Sequence, residues 1–173
     1  NDDGITAPGI LFLSKLAKQF GDVCVIAPDK PQSGMSNAIT LNSTLRIEKT
    51  DLHKVHAEYS CSGTPVDCVK MAVNKFLDRR PDLVLSGINH GSNLSINVIY
   101  SGTMSAAIEG AIEGIPSIGF SLSDFSINAD FAQCEEVIRE IIWKTLSQKI
   151  TETFCLNVNF PKLKADEMKG VKV

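Results

Sequence analysis

The chain has 173 residues, 43% of them apolar, and a net charge of −3 with acidic and basic residues scattered along its length. This size and composition support one domain with a substantial core, and the lack of a basic stretch argues against a nucleic-acid polymer as partner. The apolar runs fall far short of the roughly 20 residues that cross a bilayer, and no signal-peptide pattern is present. We therefore expect a soluble, cytoplasmic domain that binds neither nucleic acid nor membrane.

Helical and extended patterns alternate along the chain. Apolar periodicity, β-rich runs and capping residues predict, in order, a helix over 10–20, a strand over 23–27, extended segments over 39–50 and 55–60, a helix over 65–77, a strand over 83–88, a helix over 103–113, a strand over 116–120, a helix over 131–147 and a strand over 154–158. Gly21 is placed to end the first helix in a left-handed conformation, and Thr64 is placed to cap the helix that begins at Pro65. The alternation predicts an α/β fold with one mostly parallel sheet and helices on both faces.

The two termini and the cysteines carry further information. The chain begins with Asn1 inside a polar motif and ends with a run, Gly170 to Val173, that is typical of the start of a strand. We expect a longer natural chain, with one strand before residue 1 and further sequence after residue 173. The five cysteines are odd in number and include no Cys-x-x-Cys pair, so we expect most of them to be buried thiols.

Polar residues follow the predicted strands. In open α/β sheets ligands bind beyond the carboxyl ends of the strands. Oxygen-rich segments stand at these points, at 1–4 if a strand precedes them, and at 29–34, 89–93 and 121–124. We predict that these four loops meet along one edge of the sheet.

The opening carboxylates, Asp2 and Asp3, are adjacent. Neighbouring residues of a strand point to opposite faces, so both side chains reach one ion only if the chain turns, and Gly4 permits that turn. A divalent cation would relieve their mutual repulsion; the alternative is a surface Asp-Gly turn without function. Hard oxygen ligands without clustered His or Cys favour magnesium, manganese or calcium over zinc or copper.

The stretch from residue 89 to residue 105 contains no Lys or Arg but is dense in Gly, Ser, Thr and Asn. This composition is typical of a loop that offers N–H groups and hydroxyls to an anion at a helix N-terminus. The segment 101–103 is then either a phosphate seat or an ordinary helix cap. His90 could contact substrate or pack beside Asn89, while His53 and His56 are expected at the surface.

Six separated motifs occur in a fixed order: Asn-Asp-Asp-Gly, Ala-Pro-Asp with Gln-Ser-Gly, Gly-Thr-Pro-Val-Asp-Cys-Val, Ser-Gly-Ile-Asn with Gly-x-Asn, Tyr-Ser-Gly-Thr, and Gly-Ile-Pro-Ser-Ile. In this combination the chain resembles the SurE family of stationary-phase survival proteins, which are metal-dependent nucleoside monophosphate phosphatases. The similarity extends from residue 1 to about residue 121, with a weaker match at 156–161.

The resemblance implies a Rossmann-like three-layer domain that hydrolyses nucleoside 5'- or 3'-monophosphates with one divalent ion, magnesium or manganese. The implied metal ligands, of which the first two are also catalytic, are Asp2, Asp3, Ser33 and Asn89, and the implied phosphate-binding residues are Asn93, Ser101, Gly102 and Thr103. The family's C-terminal portion makes oligomer contacts, so the resemblance implies a homodimer or homotetramer whose contact portion is missing here. Ser95 stands where many members have glycine, which predicts a slightly different loop.

Several readings stay open at this point. Within a phosphatase, either an ion-activated water or an Asp carboxylate attacks phosphorus. A phospho-receiver domain also pairs acids after its first strand, but it needs a further Asp after the third strand and a Lys after the fifth, and neither is found. A nucleotide-binding module or a metal-dependent glycosyltransferase would use the same acids, although no Gly-x-Gly-x-x-Gly occurs in the expected place.

Overall fold

The computed structural model describes residues 1–126, 128–148 and 152–172. Its elements run in the order α1 (Pro8–Ala17), β1 (Cys24–Pro28), β2 (Ile47–Lys49), β3 (Ala57–Cys61), α2 (Pro65–Met71), β4 (Val84–His90), α3 (Asn97–Tyr100), α4 (Gly102–Ile112), β5 (Ser117–Leu122), α5 (Glu135–Ser147) and β6 (Cys155–Phe160). A π-helical segment, Ala72–Phe76, prolongs α2, and 3₁₀ turns occur at Phe131–Cys134 and Ala165–Glu167. The predicted α/β alternation is confirmed.

The strands form two three-stranded sheets, with the orders β1-β3-β2 and β4-β5-β6. The pairs β1–β3, β4–β5 and β5–β6 are parallel, and the short β2 runs antiparallel to β3. The prediction of a mostly parallel α/β fold is therefore confirmed, and the strands of the described residues divide into two sheets. Residues of both edge strands, β1 and β4, line one cavity of about 920 Å³.

Helices cover both faces of the second sheet. On β5 every residue is buried, as expected for a parallel strand between two helical layers. Ile118 and Phe120 join a core cluster with Ile138 of α5 and with residues of α1. Gly119 points the other way, where an added Cβ would meet Met104 of α4. The three-layer arrangement follows from this alternation along one strand.

The first helix ends earlier than predicted. It stops at Ala17, and the amides of Gln19 and Phe20 then bond to carbonyls three residues back, at 3.1 and 2.9 Å. These tighter turns consume the last helical carbonyls before the chain reaches Gly21, which does not adopt a positive φ. The predicted left-handed cap at Gly21 is therefore wrong.

The predicted extended segment over 39–50 is a strand only at its end, in β2. Its first part is irregular because polar contacts replace a ladder: the backbone N–H and the hydroxyl of Thr40 both donate to the Asp67 carboxylate, at 3.0 and 2.6 Å. Asp67 also completes a capping box with Thr64 at the start of α2. The short helix α3 was not predicted, and β5 extends two residues further than expected.

The prediction that His53 lies at the surface is wrong. Its side chain is buried, with Nδ1 3.2 Å from Glu58 Oε1. The cause is Glu58 on β3, whose carboxylate accepts hydrogen bonds from Thr50 Oγ1 and from the amides of Leu52 and His53. These bonds hold the preceding turn against β3. His56 is exposed, as expected. The five cysteines are free thiols, three buried and two partly buried.

No helix in the described ranges combines the length and the apolar character that crossing a bilayer requires.

Candidate active site

The first five residues connect the two sheets. Asn1 Nδ2 donates to the carbonyl of Ile88 in β4 at 3.1 Å, and the amide of Ile5 donates to the carbonyl of Pro28 at the end of β1 at 2.9 Å. The segment therefore lies across the carboxyl ends of both edge strands. This is the end of a parallel sheet where α/β proteins bind ligands.

The predicted turn at the opening carboxylates is present. Asn1 Oδ1 accepts a hydrogen bond from the amide of Asp3 at 2.8 Å, which closes an Asx turn. Gly4 has a φ of +96°, a conformation that L side chains rarely adopt. The turn directs Asp2 and Asp3 into one cavity of about 280 Å³. Asn1 is a positioning residue that the sequence did not identify.

Asp2 is buried and held from three sides. Its Oδ1 accepts a 2.5 Å hydrogen bond from the Thr103 hydroxyl, and its carbonyl accepts one from the amide of Gln32 at 2.7 Å. The side chain also lies directly against Gly102, where an added Cβ would stand 2.7 Å from the Cβ of Asp2. The N-terminus of α4 therefore contacts the carboxylate so closely that only glycine fits.

Asp3 differs from Asp2 in its partners. Among the described residues, Asp3 Oδ2 is a buried oxygen with no hydrogen-bond partner. The nearest basic atom is His90 Nδ1 at 3.6 Å, too far for a hydrogen bond. A buried carboxylate oxygen that forms no bond is costly, so this position is suited to a cationic or hydrogen-bond-donating ligand. The His90 ring lines the cavity and also packs edge-on against Phe131, with centroids 5.0 Å apart.

Asn89 presents its side-chain oxygen to the same place. A bulge in β4 between Ser86 and Asn89 shifts the register with β5 and so re-aims the end of the strand. Asn89 Nδ2 donates to the carbonyls of His90 and Gly91 at 3.1 and 2.9 Å, and Oδ1 lies 3.5 Å from the Thr103 hydroxyl. Both N–H groups of the side chain are thereby hydrogen-bonded, and the oxygen lies near the same Thr103 hydroxyl that contacts Asp2.

Ser33 completes the set of predicted metal ligands. It is exposed and lies on the wall of the same cavity, in the loop that the bond from Gln32 to Asp2 holds in place. A further bond, from the Ser36 hydroxyl to the carbonyl of Ile99 at 2.5 Å, ties this loop to α3. All four predicted ligands thus border one cavity.

The start of α4 faces the cavity. Ser101 caps the helix, because its Oγ accepts from the amide of Met104 at 3.0 Å, and the first backbone bond of the helix runs from Ser105 to Ser101. The amides of Gly102 and Thr103 precede that bond, so the helix itself offers them no acceptor. Ser101 lines the cavity, whereas the fully buried Thr103 lies behind it and donates its hydroxyl to Asp2.

Asn93 is fixed by β5 and β6. Three hydrogen bonds fix its position, each 2.8 Å long. The backbone N–H of Asn93 donates to Asn159 Oδ1, its Nδ2 donates to Ser121 Oγ, and its carbonyl accepts from Asn157 Nδ2. Asn157 and Asn159 were recognised in the sequence only as a weak motif match. A pattern in the sequence could have identified them: two asparagines stand two residues apart in an otherwise apolar strand, and this spacing places both on one face of the strand.

Two aromatic residues at the cavity were missed. Tyr100 and Phe125 both line it, and both are largely exposed, at 62% and 83%. Neither was singled out, since one stands beside the Ser-Gly-Thr turn and the other lies in a polar loop without any motif. Within the described residues that line the cavity there is no Lys and no Arg.

Comparison with known proteins identifies the family. The model of the family described as survival protein SurE matches residues 1–173. The chain belongs to the SurE family. Relatives named 5'-nucleotidase SurE include proteins from Flavobacterium johnsoniae, 60% identical over 174 residues, and Bacteroides fragilis, 46% identical over 173 residues, and each match covers 100% of this chain and 67% of the relative.

A solved SurE structure has the same fold. The crystal structure of the SurE protein from Aquifex aeolicus matches with a TM-score of 0.90 and 43% identity, over 99% of this chain and 68% of that chain. The Rossmann-like α/β fold expected of a SurE protein is thereby confirmed. The chain spans about two thirds of the length of these SurE proteins.

Proposed function

We propose that this chain is a metal-dependent phosphomonoesterase that hydrolyses nucleoside 5'-monophosphates, and 3'-monophosphates as well, to a nucleoside and phosphate. The relatives that carry the name 5'-nucleotidase SurE support the substrate class. The observation that carries the proposal is the buried, unbonded Asp3 Oδ2, placed in one cavity with Asp2 and the N-terminus of α4.

One divalent cation fits the residues at this place. In the described part of the chain no group of three His, Cys, Asp or Glu side chains is spaced to hold a metal. The donors at the cavity are two carboxylates, Asp2 and Asp3, and the neutral oxygens of Ser33 and Asn89. Such an all-oxygen set favours magnesium or manganese over zinc, and the unbonded Asp3 oxygen would gain the ligand it lacks.

The N-terminus of α4 supplies the anion seat. The free amides of Gly102 and Thr103 and the dipole of an eleven-residue helix favour a phosphate in front of Ser101. Because no Lys or Arg lines the described cavity, the charge of a dianionic phosphate needs the cation for balance. Phosphate binding at α4 therefore depends on the cation that the carboxylates would hold.

Each group of residues would have its own part in the reaction. Asp2 and Asp3, with Ser33 and Asn89, would hold the cation beside the phosphate, and the amides at the start of α4 stabilise the charge that grows on the phosphate oxygens in the transition state. A bound cation supplies positive charge and lowers the pKa of water. We propose water rather than a carboxylate as nucleophile, because Thr103 already donates to Asp2 Oδ1 and the free oxygen of Asp3 would be taken by the cation.

Chemical trapping separates these two nucleophiles. Borohydride reduces an acyl phosphate, so rapid quench of the first turnover with borohydride should leave both aspartates unmodified in a peptide mass map. A reduced Asp2 or Asp3 in that map would show that the enzyme attacks through a carboxylate.

Phosphate release tests the function itself. With manganese and adenosine 5'-monophosphate, the protein should release phosphate catalytically, and Asp3→Asn should lose at least a hundredfold in kcat because it removes one charged ligand. The fold should be unchanged, since Asp3 makes no core contact. The matched control is Asp51→Asn, which alters an exposed carboxylate outside the site.

A full rate in Asp3→Asn at saturating manganese would show that Asp3 is not a ligand. Absence of phosphate release by the wild-type protein would instead favour the receiver or nucleotide-binding alternatives.

A further inference from the structure

The cavity at the opening carboxylates is small for a whole nucleotide. Its volume of about 280 Å³ lies below the usual range for pockets that enclose drug-sized ligands. A phosphate seated at Ser101, together with its sugar, would occupy most of this space. The base would then lie at the rim of the cavity.

The rim carries two exposed rings. Tyr100 directly precedes the phosphate seat at Ser101 and is 62% exposed, and Phe125 is 83% exposed. A single exposed ring is common on protein surfaces, but two exposed rings at the edge of one polar cavity are typical of a ligand-binding site. Their position is continuous with the site, since both line the same cavity as Asp2 and Asp3.

The Phe125 ring is held in place although it is exposed. One edge lies on the backbone of Gly91, where an added Cβ would meet Phe125 Cε1 at 2.3 Å. The preceding residue, Asp124, is buried, and its Oδ1 accepts from the amide of Ser126 at 2.9 Å and from Lys162 Nζ at 3.0 Å. The ring is therefore fixed at its base and leaves its other surface open.

We propose that Phe125 and Tyr100 are specificity-determining residues that bind the nucleobase of the substrate by stacking. The inference rests on the proposed function, because it assigns the base position for that substrate. Every base has a π-face, and stacking on aromatic side chains is therefore tolerant of base identity. Since the rim presents two aromatic rings and no Lys or Arg lines the described cavity, it favours nucleotides over phosphomonoesters without an aromatic ring and discriminates weakly among bases.

Two substrates and four variants test this. KM is measured for adenosine 5'-monophosphate and for ribose 5-phosphate, which lacks the base, with manganese present. Phe125→Leu keeps an apolar side chain without a ring and should raise KM for the nucleotide about tenfold, the usual contribution of one base–aromatic stack, while KM for ribose 5-phosphate stays within about twofold. Tyr100→Leu should act in the same direction.

The controls isolate the ring. Phe125→Trp retains an aromatic surface and should keep KM for the nucleotide within about twofold of wild type. Trp143→Ala removes an aromatic residue on α5 that is 60% exposed and lies outside the cavity, and should change neither KM. Because Phe125 is exposed, its variants should unfold at the wild-type temperature.

Equal changes of KM for both substrates, or no change of KM for either, would overturn the inference. A dimer in solution that Phe125→Leu dissociates would also overturn it.

If the wild-type protein releases no phosphate from either compound, the proposed function fails by itself. The inference is then judged by calorimetric titration with the same two compounds: a Kd for the nucleotide that weakens about tenfold in Phe125→Leu alone supports it, and unchanged or undetectable nucleotide binding overturns it.

Discussion

Adjacent aspartates occupy two different environments in this protein. Asp2 is held by the Thr103 hydroxyl at 2.5 Å and packs on Gly102, whereas Asp3 keeps a buried oxygen without a hydrogen bond. The difference arises from the turn at Gly4, which points the two side chains into the cavity from different backbone positions. Asp2 is thereby the fixed ligand of the proposed site, and Asp3 is the one that a cation would complete.

Thr103 should act through Asp2. Thr103→Val keeps the shape of this fully buried side chain but removes the donor, which leaves a buried carboxylate oxygen without its partner and should cost about 1–3 kcal/mol of stability. Asp2 should also lose its orientation, so the concentration of manganese for half-maximal activity should rise. Thr103→Ser retains the hydroxyl and serves as control; equal loss in both variants would assign the effect to the methyl group instead.

Glu58 should make the first sheet sensitive to acid. Burial alone would raise the pKa of Glu58, but hydrogen bonds from the Thr50 hydroxyl and from the amides of His53 and Leu52 lower it to about 2. A depressed pKa stabilises the fold above the unfolded value of 4.5, and that contribution, about 3 kcal/mol, is lost as the pH falls from 4.5 towards 2.

The measurement is chemical denaturation of wild type and Glu58→Gln at several pH values. The stability advantage of wild type should be full at pH 6 and shrink steadily below pH 4.5. Glu48→Gln, an exposed carboxylate on β2, should show no such trend. A constant difference between wild type and Glu58→Gln from pH 6 to pH 3 would contradict the assignment.

At the scale of elements, the contact between α4 and the opening segment defines the site. Gly102→Ala would place a Cβ 2.7 Å from the Cβ of Asp2, so Asp2 or the helix must shift, and activity should fall at least tenfold while stability changes by about 1–3 kcal/mol. The control is Gly21→Ala, whose added Cβ meets no atom within 4 Å. Equal activity of both variants, measured by phosphate release, would show that this close packing is not required.

Most elements could be predicted from sequence because their signals are local. The capping box at Thr64 and the apolar run of α5 depend on neighbours in the chain, and both were placed correctly. The early end of α1 could not be predicted, because backbone hydrogen bonds from Gln19 and Phe20 close tighter turns before the chain reaches Gly21. The burial of His53 could not be predicted either. His53 lies in a turn that is held against Glu58, and hydrophobic periodicity does not reveal such a turn.

The meeting of the loops at one cavity could be predicted, and the details of the site less so. The loops of Asp2, Asp3 and Asn89 were expected together because polar residues after strands converge at one sheet edge, whereas the ligand role of Asn89 came only from the family resemblance and stays a prediction. The contacts that orient them, such as Thr103 on Asp2 or Asn159 on Asn93, join residues 101 and 66 positions apart. Tyr100 was part of a recognised motif but was given no role, and Phe125 belonged to no motif, since an exposed ring has no sequence pattern of its own.

At the scale of the whole molecule, the candidate active site lies where the first five residues connect the two sheets. Asn1 bonds to β4 and Ile5 bonds to the end of β1, so the residues that carry the carboxylates also connect the two halves of the fold. Ligands that bind Asp2 and Asp3 should therefore stabilise the whole domain, since binding to the native state alone raises its stability. The homodimer or homotetramer implied by the family resemblance stays a prediction, which light scattering in solution can test.

The central claim is that four oxygen ligands hold one hard cation in front of the N-terminus of α4. Anomalous diffraction from crystals soaked in manganese tests it most directly. We expect a single strong peak within about 2.6 Å of Asp3 Oδ2 and of Asn89 Oδ1, bordered by Asp2 and Ser33. A peak at any other group of residues, or density for water alone between these side chains at saturating manganese, would contradict the claim.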